Sequence, residues 1–233
     1  ATALTQIAGT VALLSLYRVA NFAVANQLAR TDMIFTALLG AAFFSEELTR
    51  VGWIAILLTF AGALTVSGPR SGAGEITRTA RTWRAILWAK PVRMGLFIGF
   101  IWGVCNLTLR EASLSLGTGS PFTRAGLTVV TVTGMQLVMM GAWLMVREPG
   151  HLAGIMNHWR MSLVVGVSSA VGSICWFTAF TLANASYVRA VGQIEVVFGL
   201  MASVWYFRER ITRQDLIGIA LTVSGVLMFR VWG

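Results

Sequence analysis

The stretch FFSEELTRVGWIAILLTFAGAL, residues 43–64, returns later in the chain as YFRERITRQDLIGIALTVSGVL, residues 206–227. Between Phe44 to Gly62 and Phe207 to Gly225, nine of nineteen positions are identical, among them Glu46/Glu209, Thr49/Thr212, Arg50/Arg213, Thr59/Thr222 and Gly62/Gly225. Both copies have the same grammar: an apolar run ends in an aromatic and a glutamate, a short polar turn follows, and a second apolar run begins. Shared apolar composition alone gives far fewer identities, so the offset of 163 residues marks an internal duplication. The register holds upstream, where Gly9 meets Gly172, Asn21 meets Asn184, Asp32 meets Glu195 and Phe35 meets Phe198.

What is duplicated follows from the charges. Of 233 residues, 56% are hydrophobic and 12% charged, about half the charged share of a water-soluble domain. Residues 51–69, 94–109, 125–146 and 161–188 have no charged side chain, and gaps of that size suit helices crossing a hydrocarbon core of about 30 Å. The sequence therefore predicts an all-α polytopic membrane protein with eight spans, at 2–20, 24–44, 51–68, 92–111, 121–146, 161–182, 187–207 and 215–231. Proline marks their edges: Pro69 and Pro149 follow spans, while Pro91 and Pro121 precede or open them. The first apolar run has no basic flank ahead of it, so it does not read as a cleavable signal peptide.

A net charge of +9 would suggest a nucleic-acid partner in a soluble chain. Here the arginines gather in short links, where they anchor helix ends in lipid headgroups, and no nucleic-acid partner is expected. Cys105 and Cys175 lie within apolar runs and read as buried free thiols. The spans contain no metal-ligand spacing, phosphate-binding glycine loop or Ser/His/Asp arrangement, and His151 and His158 stand in a loop without companions. Neither a metal, a cofactor nor an enzymatic activity is expected.

The link from Arg70 to Arg93 carries six cations against Glu75, with Trp83 and Trp88 between them. It reads as a tether between two halves, or as a short amphipathic helix at the interface. Two helices of the second copy, 92–111 and 121–146, have no counterpart in the first. Subtracting the offset puts their partners ahead of Ala1, so the chain is expected to be eight helices of a ten-helix protein. The expected organisation is residues 1–68 as the last three helices of a first repeat, 69–91 as the connecting loop and 92–233 as a complete second repeat. Five helices is an odd number, so consecutive repeats enter the membrane in opposite senses and form an inverted repeat.

With the two quoted stretches and the inverted repeat in hand, the chain resembles the EamA-type branch of the drug/metabolite transporter superfamily over essentially its whole length. The resemblance implies a ten-helix secondary carrier of the bacterial inner membrane, with many relatives exporting amino acids and other metabolites. It also implies both termini in the cytoplasm, whereas the positive-inside rule puts the cation-rich central loop there. One departure concerns the site: such proteins often have proline just after the acidic position of the fourth and ninth helices, and Met33 and Val196 stand there instead. That weakens any expectation of a proline-broken helix.

Ionisable groups at bilayer depth cost about 2.5 to 3.5 kcal/mol on insertion scales and mark functional sites by default. Arg30, Asp32 and Glu195 qualify, with Gln193 occupying the place of Arg30 in the second copy. Inverted repeats would bring these clusters to one central cavity, for substrate coordination or proton coupling. Local Arg30–Asp32 and Arg189–Glu195 pairs that only fix packing are the structural alternative. Trp102 and Asn106 are four residues apart and share a helix face, and Trp176 lies in mid-span; both suit stacking and hydrogen bonding to an amphipathic solute. Glu46 and Glu209 end their helices and read as capping or interfacial groups, and the stripes Ala55/Thr59/Gly62 and Gly218/Thr222/Gly225 as close helix packing. The expected function is a secondary active exporter of small metabolites working by alternating access; the alternatives are a membrane binding or assembly protein without transport and an intramembrane enzyme.

Overall fold

A chain in hydrocarbon has no water to satisfy its backbone, so each apolar run must close its hydrogen bonds within itself, and the helix does this. The computed structural model describes residues 1–20, 22–66, 88–148, 158–198, 201, 205 and 213–232. Most of the basic tether, together with Asn21, Pro69, Trp83, Pro149, His151, Glu209 and Thr212, lies outside the described residues. The described residues contain no strand; their helices of eight residues or more are α1 (Thr2–Tyr17), α2 (Phe22–Ala29), α3 (Asp32–Phe43), α4 (Arg50–Val66), α5 (Lys90–Leu114), α6 (Pro121–Arg147), α7 (Trp159–Leu182), α8 (Ala185–Gly192) and α9 (Arg213–Trp232), and residues 195–198 are helical as well. Helices α5, α6 and α7 are long and apolar enough to cross a membrane, and α1, α3, α4 and α9 contain shorter apolar stretches.

Helix ends follow local chemistry. Ser120 caps α6 by accepting the Thr123 N–H at 3.2 Å, and Pro121 occupies the first turn, where its missing donor costs nothing. Pro91 likewise sits inside the first turn of α5, which opens at Lys90. Thr49 caps α4 by accepting the Gly52 N–H at 3.0 Å. Two expected spans differ from the prediction in being interrupted. The span 24–44 breaks at Arg30–Thr31, between α2 and α3, and the span 187–207 breaks at Gln193–Ile194, after α8.

The chain forms two compact units. One comprises Ala1–Ile7 with Thr108–Ala183, the other Ala8–Leu107 with Asn184–Gly233. In the first, α6 and α7 turn long apolar faces outward, including Leu137, Val138, Val164 and Val165, as lipid-facing helices do. Polar contacts hold this unit together: Ser113 and Thr181 share a hydrogen bond of 2.5 Å, and Arg110 Nε donates to the Ala183 carbonyl at 3.1 Å. Cys175, expected to be buried, is exposed on α7, while Cys105 is buried in the second unit.

The second unit is built on close backbone approach. Lipid tails are as apolar as leucine, so helices associate in a bilayer through contact rather than water exclusion, and small residues permit that contact. The repeated stripe does this reciprocally between α4 and α9. A Cβ on Gly62 would fall 2.5 Å from the Thr222 nitrogen, and one on Gly225 would meet Thr59 Oγ1 and lie 2.9 Å from the Ala55 carbonyl. Thr59 and Thr222 bond back to Ala55 and Gly218 at 2.8 and 2.9 Å, so each hydroxyl is satisfied in the same way. On α5, Gly95, Gly99 and Gly103 recur every four residues and receive Leu28, Thr31 with Asp32, and Phe35 with Thr36. The interrupted α2–α3 segment thus lies directly against the α5 backbone.

Candidate functional site

The two interruptions have the same hydrogen-bond grammar, one copy at each end of the 163-residue offset. Thr31 N–H reaches back three residues to Leu28, and Ile194 N–H to Val191. Met33 and Val196 bond to Arg30 and Gln193, Ile34 and Val197 to Thr31 and Ile194, and both Phe35 and Phe198 to those same threonine and isoleucine carbonyls. Tightening to three-residue spacing narrows the helix for one turn and redirects it. Proline is unnecessary for this, which corrects the expectation drawn from Met33 and Val196.

At these turns the polar side chains meet across the copies. Arg30 Nη1 donates to Gln193 Oε1 at 2.6 Å, a bond between the two positions that the offset equates. The same Nη1 stands 3.4 Å from Glu195 Oε1. Arg189 Nη2 approaches Asp32 Oδ2 at 2.5 Å. The ion pairs are crossed, Arg30 with Glu195 and Arg189 with Asp32, each joining a guanidinium of one copy to a carboxylate of the other.

The two carboxylates differ in setting. Asp32 exposes 4% of its side chain and Glu195 63%. Asn106 from α5 donates to Thr36 Oγ1 at 3.1 Å and reaches Asp32 Oδ2 at 3.5 Å, while the Thr36 hydroxyl bonds the Asp32 carbonyl at 2.7 Å. Asp32 Oδ1 is buried and accepts no hydrogen bond among the described residues. Glu195, by contrast, stands on the wall of an open cavity of about 270 Å³. Arg30, Asp32, Arg189 and Glu195 line that cavity with Asn26 and Trp102, and Leu13 and Ala29 add an apolar side. Trp102 is seated against Gly9, where an added Cβ would come 3.1 Å from the indole, and Asn26 accepts the Tyr17 hydroxyl at 2.8 Å.

Of the residues singled out in the sequence, Arg30, Asp32, Glu195 and Trp102 line one cavity, and Gln193 and Asn106 hold its charged groups. Trp176 is not among them: it belongs to the other compact unit, its ring 5.7 Å from that of Phe180. Arg189 and Asn26 were missed as cavity residues. They occupy equivalent places in the two copies, and a comparison of polar residues at the offset finds them. The glycines of α5 were also missed, although GLFIGFIWG shows their spacing of four plainly.

Glu46 turns out to cap a helix other than its own. Its carboxylate accepts the Ala185 N–H at 2.7 Å, the Ser186 hydroxyl at 2.6 Å and the Ser186 N–H at 3.4 Å. These are first-turn donors of α8, where a negative charge also complements the helix dipole. Ser45, at φ 50, turns the chain after α3 so that Glu46 can reach them. Since α8 ends at the second interruption, this cap anchors the helix that carries Arg189.

No curated protein sequence matches the chain. Residues 89–231, more than half of it, match the EamA-like transporter family; that stretch contains Trp102, Asn106, Arg189, Gln193 and Glu195. Apolar helices of membrane-crossing length and a polar cavity between interrupted helices accord with such a role. The chain belongs to the EamA-like transporter family and is an integral membrane protein.

Proposed function

We propose that the protein is a secondary active transporter that exports a small polar metabolite across a bacterial inner membrane by alternating access. It does so within a ten-helix fold of two inverted five-helix repeats, of which residues 1–68 supply the last three helices of the first and residues 92–233 the second. The observation that carries this reading is the crossed pairing at two matching helix breaks around a cavity. Discontinuous helices meeting at a repeat interface are the usual form of a midplane transport site. The reciprocal Gly62/Thr222 and Gly225/Thr59 contacts support a two-fold relation between the copies, and the family match falls on the stretch assigned to the second repeat.

Arg30, Asp32, Gln193, Glu195, Asn106 and Trp102 form the site in this proposal; Trp176 has no part in it. Glu195 is the coupling carboxylate, because both acids line the cavity but only the mostly exposed Glu195 side chain is open to a proton, that of Asp32 being buried. Reconstituted protein should drive solute accumulation under an imposed pH gradient, and Glu195→Gln should abolish that response while leaving solute exchange at zero gradient detectable. Retention of gradient-driven transport in Glu195→Gln would exclude coupling through this group, and the absence of any solute exchange would exclude transport itself.

A further inference from the structure

The cavity is open beside α1 and α2 and sealed along α3 and α8. Its wall draws on Leu13 of α1, on Asn26 and Ala29 of α2 and on the exposed Glu195, but takes only Asp32 from α3 and only Arg189 from α8. Beyond those two residues α3 and α8 lie against each other. Met33, Ala37 and Ala190 are fully buried in one cluster with Ile56 of α4, and Thr36 and Ser186 are fully buried as well. Positions 33, 36, 37 and 40 form one face of α3, and 186 and 190 one face of α8. Buried throughout, this seam leaves water no path from the cavity between the two helices.

Glu46 stands at the far end of the seam. The twelve residues of α3 carry the chain about 18 Å away from the cavity. There Ser45, at φ 50, reverses the chain, and the Glu46 N–H returns to the Gly40 carbonyl at 3.0 Å. The turn delivers the Glu46 carboxylate to the first turn of α8, where it accepts the Ala185 N–H at 2.7 Å and the Ser186 hydroxyl at 2.6 Å. Gly40 makes room for it, since a Cβ there would stand 2.7 Å from Glu46 Oε2. These bonds run from α3 of the first copy to α8 of the second, across the seam that must part if the cavity is to open at this end. Bonds to a charged acceptor are directional and stronger than neutral ones, and they are lost together when the helices separate.

We propose that Glu46 is the latch of a gate: the α3–α8 seam is the barrier at one end of the cavity, and release of the first turn of α8 from Glu46 is the step that opens it. The gate has its purpose in the transport reading above, on which it rests, but it is detected by the reach of a reagent and needs no solute.

The test is cysteine modification in oriented vesicles of the full chain, with a membrane-impermeant maleimide applied at the face nearest Glu46. Ala37→Cys, with Cys105 and Cys175 replaced by alanine, puts a reporter in the seam. Cys105, 1% exposed on α5, serves as the control when only Cys175 is replaced. Two variants release the latch in different ways. Glu46→Gln keeps the size and removes the charge, whereas Gly40→Ala keeps the glutamate and displaces its carboxylate. A hydrogen bond to a charged group shifts an equilibrium roughly tenfold or more, so both variants should raise the modification rate of Ala37→Cys by about tenfold or more and leave Cys105 unmodified. An unchanged Ala37→Cys rate in either variant would overturn the latch. An equal rise at Cys105 would also overturn it, because general loosening of the unit, not a gate, gives that result. Leu13→Cys, on the open side, keeps the two readings apart: both variants should lower its modification from the opposite face. A rise at Ala37→Cys without that fall would leave the latch standing and count against alternating access.

Discussion

The crossed pair between Arg189 and Asp32 makes a quantitative demand on stability. Replacing Asp32 with leucine removes a carboxylate of similar size and leaves a guanidinium with 24% exposure facing its former partner. Removing one member of a buried ion pair costs about 3 to 5 kcal/mol, mostly because the other charge is stranded. Arg189 retains some access to the cavity, so Asp32→Leu should sit near the lower end, at about 3 kcal/mol. Arg189→Met strands the more deeply buried Asp32, whose Oδ1 already has no hydrogen-bond donor among the described residues, and should cost about 4 kcal/mol. The double variant strands neither, and an apolar replacement of a buried pair is often close to neutral, so a loss of about 1 kcal/mol or less is expected. The assay is reversible unfolding in mixed micelles, comparing the two single variants with the double. A coupling of about 6 kcal/mol is the predicted result. Additive losses would refute the crossed pairing, whatever the size of the single effects.

Two further outcomes test how the site is held. Glu46→Ala removes three bonds to the first turn of α8 and leaves buried donors unsatisfied, so a loss of about 2 to 4 kcal/mol is expected in the same unfolding assay; a loss within the error of measurement would mean that α8 has another anchor. Gly99→Leu drives a side chain into Thr31 and the Asp32 backbone and should destabilise by about 1 to 3 kcal/mol or more, while Gly126→Ala on α6, where nothing stands within 4 Å, should be neutral or slightly stabilising. Equal effects at the two glycines would show that α5 does not pack by backbone approach.

The parts of this fold that are legible in the sequence are those set by long-period patterns. Charge gaps located the helices, and α5, α6 and α7 begin and end within three residues of the expected limits because arginine, proline and a serine cap leave the chain few choices there. The 163-residue offset identified Arg30, Gln193, Asp32 and Glu195 as corresponding groups, and two of those four now share a hydrogen bond. What the sequence concealed was direction. Arg30 and Asp32 are two residues apart, which suggests a local pair, yet a helix break sends the two side chains to different partners. That break has no proline to announce it, since it consists of three-residue backbone bonds supported by the glycines of α5. Arg189 reads in the sequence as a packing partner of Glu195 six residues on, whereas it pairs with Asp32; Trp176 reads as a mid-span stacking group, but a tryptophan in that position serves packing equally well, and here it lies against Phe180.

Access to the cavity at Arg30 and Glu195 from each side of the membrane in turn is the central claim, and a single cysteine tests it. Leu13 lines the cavity and carries no charge, so Leu13→Cys, with Cys105 and Cys175 replaced by alanine, reports water access without removing a charge. In oriented vesicles a membrane-impermeant maleimide should modify this cysteine when applied from either face. Modification from one face only, under conditions in which the protein exchanges solute, would contradict alternating access at this site.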